Sequence, residues 1–231
     1  MQTNNSNAES RRDFLGKIAA GAAALGTASL APFQAQAIPG LADHEYADSE
    51  EWFNKIKGKH RMVFDATQPH ELMPFAWPKV FLLTNAATGT PEKDCSVVVV
   101  LRHDAVGYAL QNEMWEKYKL GELFKAHDPL TKAPATRNPF WKPKEGDFKI
   151  PGIGNVPIGI NELQNSGVLF CCCEMAITVY SAVAADMMKM DAAAVKKEWM
   201  ASVLPNIQVM PSGVWALGRA QEHGCSYCFA G

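Results

Sequence analysis

Residues 95–103, CSVVVVLRH, constrain the fold more than any other stretch of the chain. Four consecutive valines and a leucine leave neither face of a strand polar. A strand that is apolar on both sides must be covered on both sides, as in a parallel sheet sandwiched between helices. Three more short apolar runs fit the same sheet: HRMVFDAT (60–67), VLFCCC (168–173) and IQVM (207–210). Helix-like spacing lies between them. LMPFAWPKVFLLTNAA (72–87) follows the first run, with Pro74 and Pro78 predicting regular helix only in its second half. DAVGYALQNEMWEKY (104–118) places Asp104 at an N-cap, and EMAITVYSAVAADMM (174–188) and AAAVKKEWMASVLP (192–205) are further helices. PSGVWALGRAQEHG begins with Pro-Ser and ends at Gly224, as helices do, and CSYCFAG leaves room for a last short strand. EEWFNKIKGK reads as a short helix ahead of the first run. This alternation predicts an α/β layer fold with a mostly parallel sheet. The segment 128–166, rich in Pro, Gly and Lys, is too long for a plain connection and is expected to be a functional or interface loop.

The N-terminus has a different character. Arg11 and Arg12 precede Phe14 and Leu15, a weakly apolar Ala/Gly stretch follows, and Ala35-Gln36-Ala37 closes it in an A-x-A pattern. This is the layout of a twin-arginine export signal, with cleavage expected after Ala37. The alternative is a small membrane anchor, against which stand the shortness of the stretch and its cleavage motif. No later segment approaches the roughly 20 apolar residues of a membrane span. The mature protein, 38–231, is therefore expected to be one periplasmic domain with no membrane association. Hydrophobic residues make up 48% of the chain and charged residues 20%, an ordinary globular composition. A formal net charge of -2 gives no reason to expect nucleic acid as a partner.

All six cysteines fall in the mature part: Cys95, Cys171, Cys172, Cys173, Cys225 and Cys228. An even number in an oxidising compartment suits disulfides, yet twin-arginine export implies folding in the reducing cytoplasm first. Within a strand, Cys171 and Cys173 share one face and Cys172 takes the other. One reading makes all three buried small apolar residues. Cys173 differs in standing at the strand's end just before a helix, where amide donors and the helix dipole stabilise a thiolate, the nucleophilic form. Cys225 and Cys228 form a C-x-x-C pair with His223 two residues ahead, which admits a soft-metal or a disulfide reading. No second C-x-x-C accompanies it, so no metal site is assigned. His103 ends the valine-rich strand, either bonded to backbone or serving as proton donor or charge partner to a thiolate. Ligands of open α/β sheets bind beyond the carboxyl ends of the strands. His103, Cys173 and Pro211-Ser212-Gly213 all lie at such ends, and Tyr227 is a candidate pocket wall.

Three segments resemble one known family. VVVVLRHDAVGYAL resembles the strand-His-helix segment of the DsrE/DsrF-like proteins. GVLFCCCEMA is similar to their G-V-x-F-x-x-C strand, whose cysteine falls at Cys173. IQVMPSGVWALGRAQEHGCSY resembles their V-x-P-S-G-V segment and the ending that follows it. The likeness covers about residues 60–231, with 128–166 as an insertion. It implies a flavodoxin-like three-layer α/β/α sandwich assembled into homo-oligomers, trimers or hexamers. It also implies a sulfur carrier that holds a persulfide on Cys173 beside His103, between a sulfane-sulfur donor and an acceptor thiol protein. Ser212, Gly213 and Tyr227 would line the ligand site, with no cofactor. The alternative reading is a non-catalytic periplasmic protein that binds a small ligand or a soft metal.

Overall fold

The fold is given by a computed structural model, which describes residues 46–231. The expected export signal, Met1–Ala37, lies outside the described residues. A short helix α1 (Ala47–Trp52) runs into one 3-10 turn and then strand β1 (His60–Ala66). Helix α2 (Met73–Ala87) leads to β2 (Cys95–Leu101). A 3-10 segment (His103–Ala109), two short helices α3 (Asn112–Lys117) and α4 (Leu120–Leu123), a small hairpin β3 (Lys149–Ile150)/β4 (Gly154–Asn155) and α5 (Ile160–Asn165) fill the next crossover. Then come β5 (Leu169–Cys173), α6 (Glu174–Met188), α7 (Ala192–Ala201), β6 (Ile207–Met210), α8 (Gly213–Glu222) and β7 (Ser226–Phe229).

The main sheet has five strands, all parallel, in the order β6-β5-β2-β1-β7. Alternation along the strands sorts their side chains into two cores. Phe64, Val97, Val99, Leu101, Phe170 and Cys172 pack under α2, α5, α6 and α7. Val63, Val98, Val100, Cys171 and Met210 pack under α1 and α8. The chain is thus a flavodoxin-like α/β/α sandwich, and the apolar double face of β2 is the reason both sheet faces are covered. No helix among the described residues is long and apolar enough to cross a membrane.

Three local expectations are corrected. Helix α2 is regular from Met73, although Pro74 and Pro78 predicted helix only in the second half. Pro74 sits in the first turn, where no amide partner is required, so the ring at Pro78 deprives the helix of one bond only. Burial of Phe75, Ala76, Pro78 and Leu82 offsets that loss. Segment 104–118 is not one helix with Asp104 as its cap: the 3-10 segment ends at Ala109, and Leu110 pairs with Val203 before α3 begins. Close packing of Gly107 on Phe124, and a hydrogen bond from Trp115 Nε1 to the Gly107 carbonyl (3.0 Å), hold that break. Lastly, Cys173 packs with the cluster that holds Cys172 and not with Cys171, because at the strand's end it already caps α6.

The insertion is part of the core. Asn138, with no exposed surface, donates to the carbonyls of Tyr108 (2.8 Å) and Leu110 (3.0 Å) and accepts from the Phe140 amide (3.1 Å). Phe140 stacks between Phe75 and Phe148, with ring centroids 4.1 and 5.2 Å away.

Candidate functional site

Because the five strands are parallel, their carboxyl ends form one rim. A crevice opens in such a sheet where neighbouring strands send their outgoing connections to opposite faces. Here that place lies between β5 and β6. Helix α6 leaves β5 on the face of the larger core, and α8 leaves β6 on the other. Cys173 and Met210 are register partners across this divide. Helices α6 and α8 both begin there. The Sγ of Cys173 caps α6 by accepting the Ala176 amide hydrogen at 3.3 Å, and Ser212 Oγ caps α8 by accepting from Trp215 at 3.2 Å. Cys173 is buried, with 7% of its surface exposed.

A second group stands beside the first. Arg102, the residue after β2, donates from Nε and Nη2 to the two oxygens of Asp65 at 2.7 and 2.8 Å. Tyr227 donates its hydroxyl to Asp65 Oδ2 at 2.8 Å. Asp65 is almost wholly buried, and three charge-assisted hydrogen bonds compensate its desolvation. The bond to Asp65 raises the Arg102 pKa; burial opposes the rise, and the nearby charges of Asp65, Tyr227 and Cys173 reinforce it. The influence of Cys173 is the smallest of these, and it marks Arg102 as a cation near that thiol. Gly213 makes room for it: a Cβ there would stand 2.6 Å from both Cβ and Cδ of Arg102.

His103 belongs to a third group. Its backbone is left-handed (φ 49°), and its side chain is largely exposed. Its Nδ1 lies 3.3 Å from Asp104 Oδ1, and its ring meets that of Tyr180 edge-on at 5.8 Å. Tyr180 in turn donates its hydroxyl to Asp104, and burial, followed by that bond, raises its pKa. Among the described residues no hydrogen bond or ion pair joins His103 to Cys173. The five residues expected from sequence therefore divide: Cys173, Ser212 and Gly213 lie at the β5/β6 divide, on strand ends that open helices of opposite faces, Tyr227 is linked to Arg102 through Asp65, and His103 stands with Asp104 and Tyr180.

Sequence reading passed over Asp65 and Arg102. The available signal was a lone acidic residue inside the buried run HRMVFDAT, since a carboxylate is almost never buried without a partner. The remaining cysteines are all free thiols. Burial pushes Cys171 and Cys172 well up, the charges of neighbouring residues adding to it, so both are un-ionised core residues at neutral pH. Cys225 packs in the smaller core and Cys228 against the larger, on opposite faces of the sheet. Burial pushes Cys225 up to about 11, against an opposing effect of Arg61. No group of three or more His, Cys, Asp and Glu residues able to hold a metal ion occurs among the described residues.

Clefts of about 730, 660 and 430 Å³ lie elsewhere among the described residues, and none of these is lined by Cys173, His103, Ser212, Gly213 or Tyr227. The candidate site is a rim with a buried sulfur, not a cleft.

No family model matches the chain, and no curated protein matches it. Among solved structures it is similar to a protein of unknown function, MTH1491, from Methanobacterium thermoautotrophicum. The likeness is at 16% identity and a TM-score of 0.38, over 74% of this chain and 99% of the other.

Proposed function

We propose that the protein is an exported sulfur carrier that holds sulfane sulfur as a persulfide on Cys173. The observation that carries this reading is the position of the Cys173 sulfur: at the N-cap of α6, on the β5/β6 divide, with Arg102 in electrostatic reach. In the first step the Cys173 thiolate attacks the outer sulfur of a donor persulfide or polysulfide. The Cys173–S bond forms, the donor S–S bond breaks, and the electron pair leaves on the donor sulfur. In the second step an acceptor thiolate attacks the terminal sulfur and returns Cys173 as thiolate. Neither step needs an external oxidant or reductant. The terminal sulfur of a persulfide is anionic at neutral pH; amide donors at the first turn of α6 and the Arg102 guanidinium are the groups available to it. In this reading His103, exposed beside Asp104 and Tyr180, contacts the partner and not the sulfur.

Assembly into a homo-oligomer belongs to the same reading. Val179, Val183 and Met187, one turn apart on α6 and exposed, support it as an apolar stripe.

The test is intact mass spectrometry of the protein before and after polysulfide treatment, beside Cys173→Ser. The expected result is a gain of one sulfur atom that a reductant removes and the variant lacks. Equal gain in wild type and variant would place the sulfur on another cysteine, and no gain at all would reject the carrier role.

A further inference from the structure

The largest of the three clefts, about 730 Å³, lies where the insertion folds back beside the β1–α2 loop. Three segments form it: Pro69–Leu72 after β1, residues 125–132 after α4, and residues 146–149 at the start of the hairpin. Its polar lining is unevenly engaged. Asp128 Oδ1 accepts the amides of Leu130 (2.9 Å) and Thr131 (3.0 Å). Asp147 Oδ2 accepts the Lys144 amide (2.9 Å) and faces Arg137 at 3.9 Å. Both carboxylates are thereby committed to holding the loop. Lys125, Lys132 and Lys149 also line the cleft, and among the described residues they form no ion pair. Glu71 is the one lining carboxylate with no such commitment.

Two observations mark this cleft as more than a surface hollow. Tyr108 is 2% exposed, and its ring is fixed between Phe75, Trp115 and Phe140. It nevertheless lines the cleft, and its hydroxyl has no hydrogen-bond partner among the described residues. The ring is buried but the hydroxyl opens on the cleft, so its hydrogen bond is completed from the cleft, by water or by an acceptor of a bound molecule. In addition, Glu71, Lys125 and Lys132 are all left-handed, at φ 49°, 54° and 61°. Non-glycine residues held this way cost energy, and they concentrate where ligands are clamped.

We infer that this cleft binds a small organic anion: its acidic head meets the Tyr108 hydroxyl and the lysines, and its apolar body lies against Phe148 and Leu72. Asp128 and Asp147 each have an oxygen taken by loop amides, whereas the ammonium groups of Lys125, Lys132 and Lys149 and the Tyr108 hydroxyl are free to donate, which favours an anion. Nothing in this inference depends on Cys173.

The experiment is isothermal titration calorimetry of the full mature chain with phthalate and with phenyl phosphate, beside uncharged benzyl alcohol. At least one anion should bind saturably, one per chain, at millimolar concentration or below, and benzyl alcohol should not. Tyr108→Phe removes only the hydroxyl. It should weaken the anion about tenfold or more, as expected for a hydrogen bond to a charged group, while leaving thermal stability unchanged or higher. Lys132→Gln/Lys149→Gln should weaken it too. Absence of saturable binding by both anions, equal binding of benzyl alcohol, or full affinity in Tyr108→Phe would overturn the inference.

Discussion

Replacing Asp65 by Asn tests the rim through the group that organises it. The carboxylate accepts two bonds from Arg102 and one from Tyr227, and it is 1% exposed. Asparagine keeps the volume, removes the charge and turns an amide donor toward a guanidinium or a phenol that also donates. Removing one partner of a buried ion pair costs about 3–5 kcal/mol, because the other charge stays buried. The Arg102 side chain retains 26% exposure, so water recovers part of that loss. About 2–3 kcal/mol is the expected cost. For a chain of this length that lowers Tm by about 5–10 °C. Urea unfolding followed by tryptophan fluorescence measures the cost, and a cycle with Arg102→Leu measures the coupling, expected at about 1 kcal/mol or more. A cost under about 1 kcal/mol, or strict additivity in the cycle, would refute the claim that Asp65 and Arg102 act as a unit.

Two glycines of α8 should respond with opposite signs to the same change. Gly213→Ala drives a methyl to 2.6 Å from Arg102 and should cost about 1–3 kcal/mol in urea unfolding, whereas Gly218→Ala meets nothing within 4 Å and should stabilise by about 0.5–1 kcal/mol. Asn138→Ala leaves two carbonyls and an amide without their buried partner; the expected readouts are a loss of about 2–3 kcal/mol and faster proteolytic cleavage within 128–166. Raising the pH should also destabilise the fold. The unfolded Cys225 thiol ionises near 9.0 and the folded one at about 11, so its contribution is complete below pH 9 and is lost between those values. The loss is about 2–3 kcal/mol, and Cys225→Ala should flatten that part of the stability-against-pH curve.

The sheet was legible because its strands are short runs with few polar interruptions, and a chain apolar on both strand faces has few alternatives to a covered parallel sheet. Cys173 and Ser212 were legible as strand-end residues opening helices. What escaped is tertiary in origin. Pro78 is tolerated in α2 because the face it occupies is buried, a fact no local rule contains. Asp104 has an N-cap's composition, yet its carboxylate receives the hydroxyl of Tyr180, 76 residues away. Arg102 was hidden beside the more conspicuous His103, and its partner Asp65 pairs across two strands that only the register brings level. The insertion was recognised by its length, but the anchoring through Asn138 and the cleft around Tyr108 follow from packing that proline and glycine content does not encode.

The position of β7 bears on how the molecule is made. From β1 to β6 each new main strand can add beside the one before it, with a crossover that closes locally. Strand β7 alone must return to β1, and the bond from Tyr227 to Asp65 spans 162 positions. Contacts between distant parts of a chain carry a larger closure entropy and form late. Asp65 and Arg102 therefore gain their third member only when the rest of the sheet is in place. During synthesis the rim stays incomplete until β7 has left the ribosome. A Tyr227-linked probe in a refolding experiment should accordingly report after the tryptophans of the two cores.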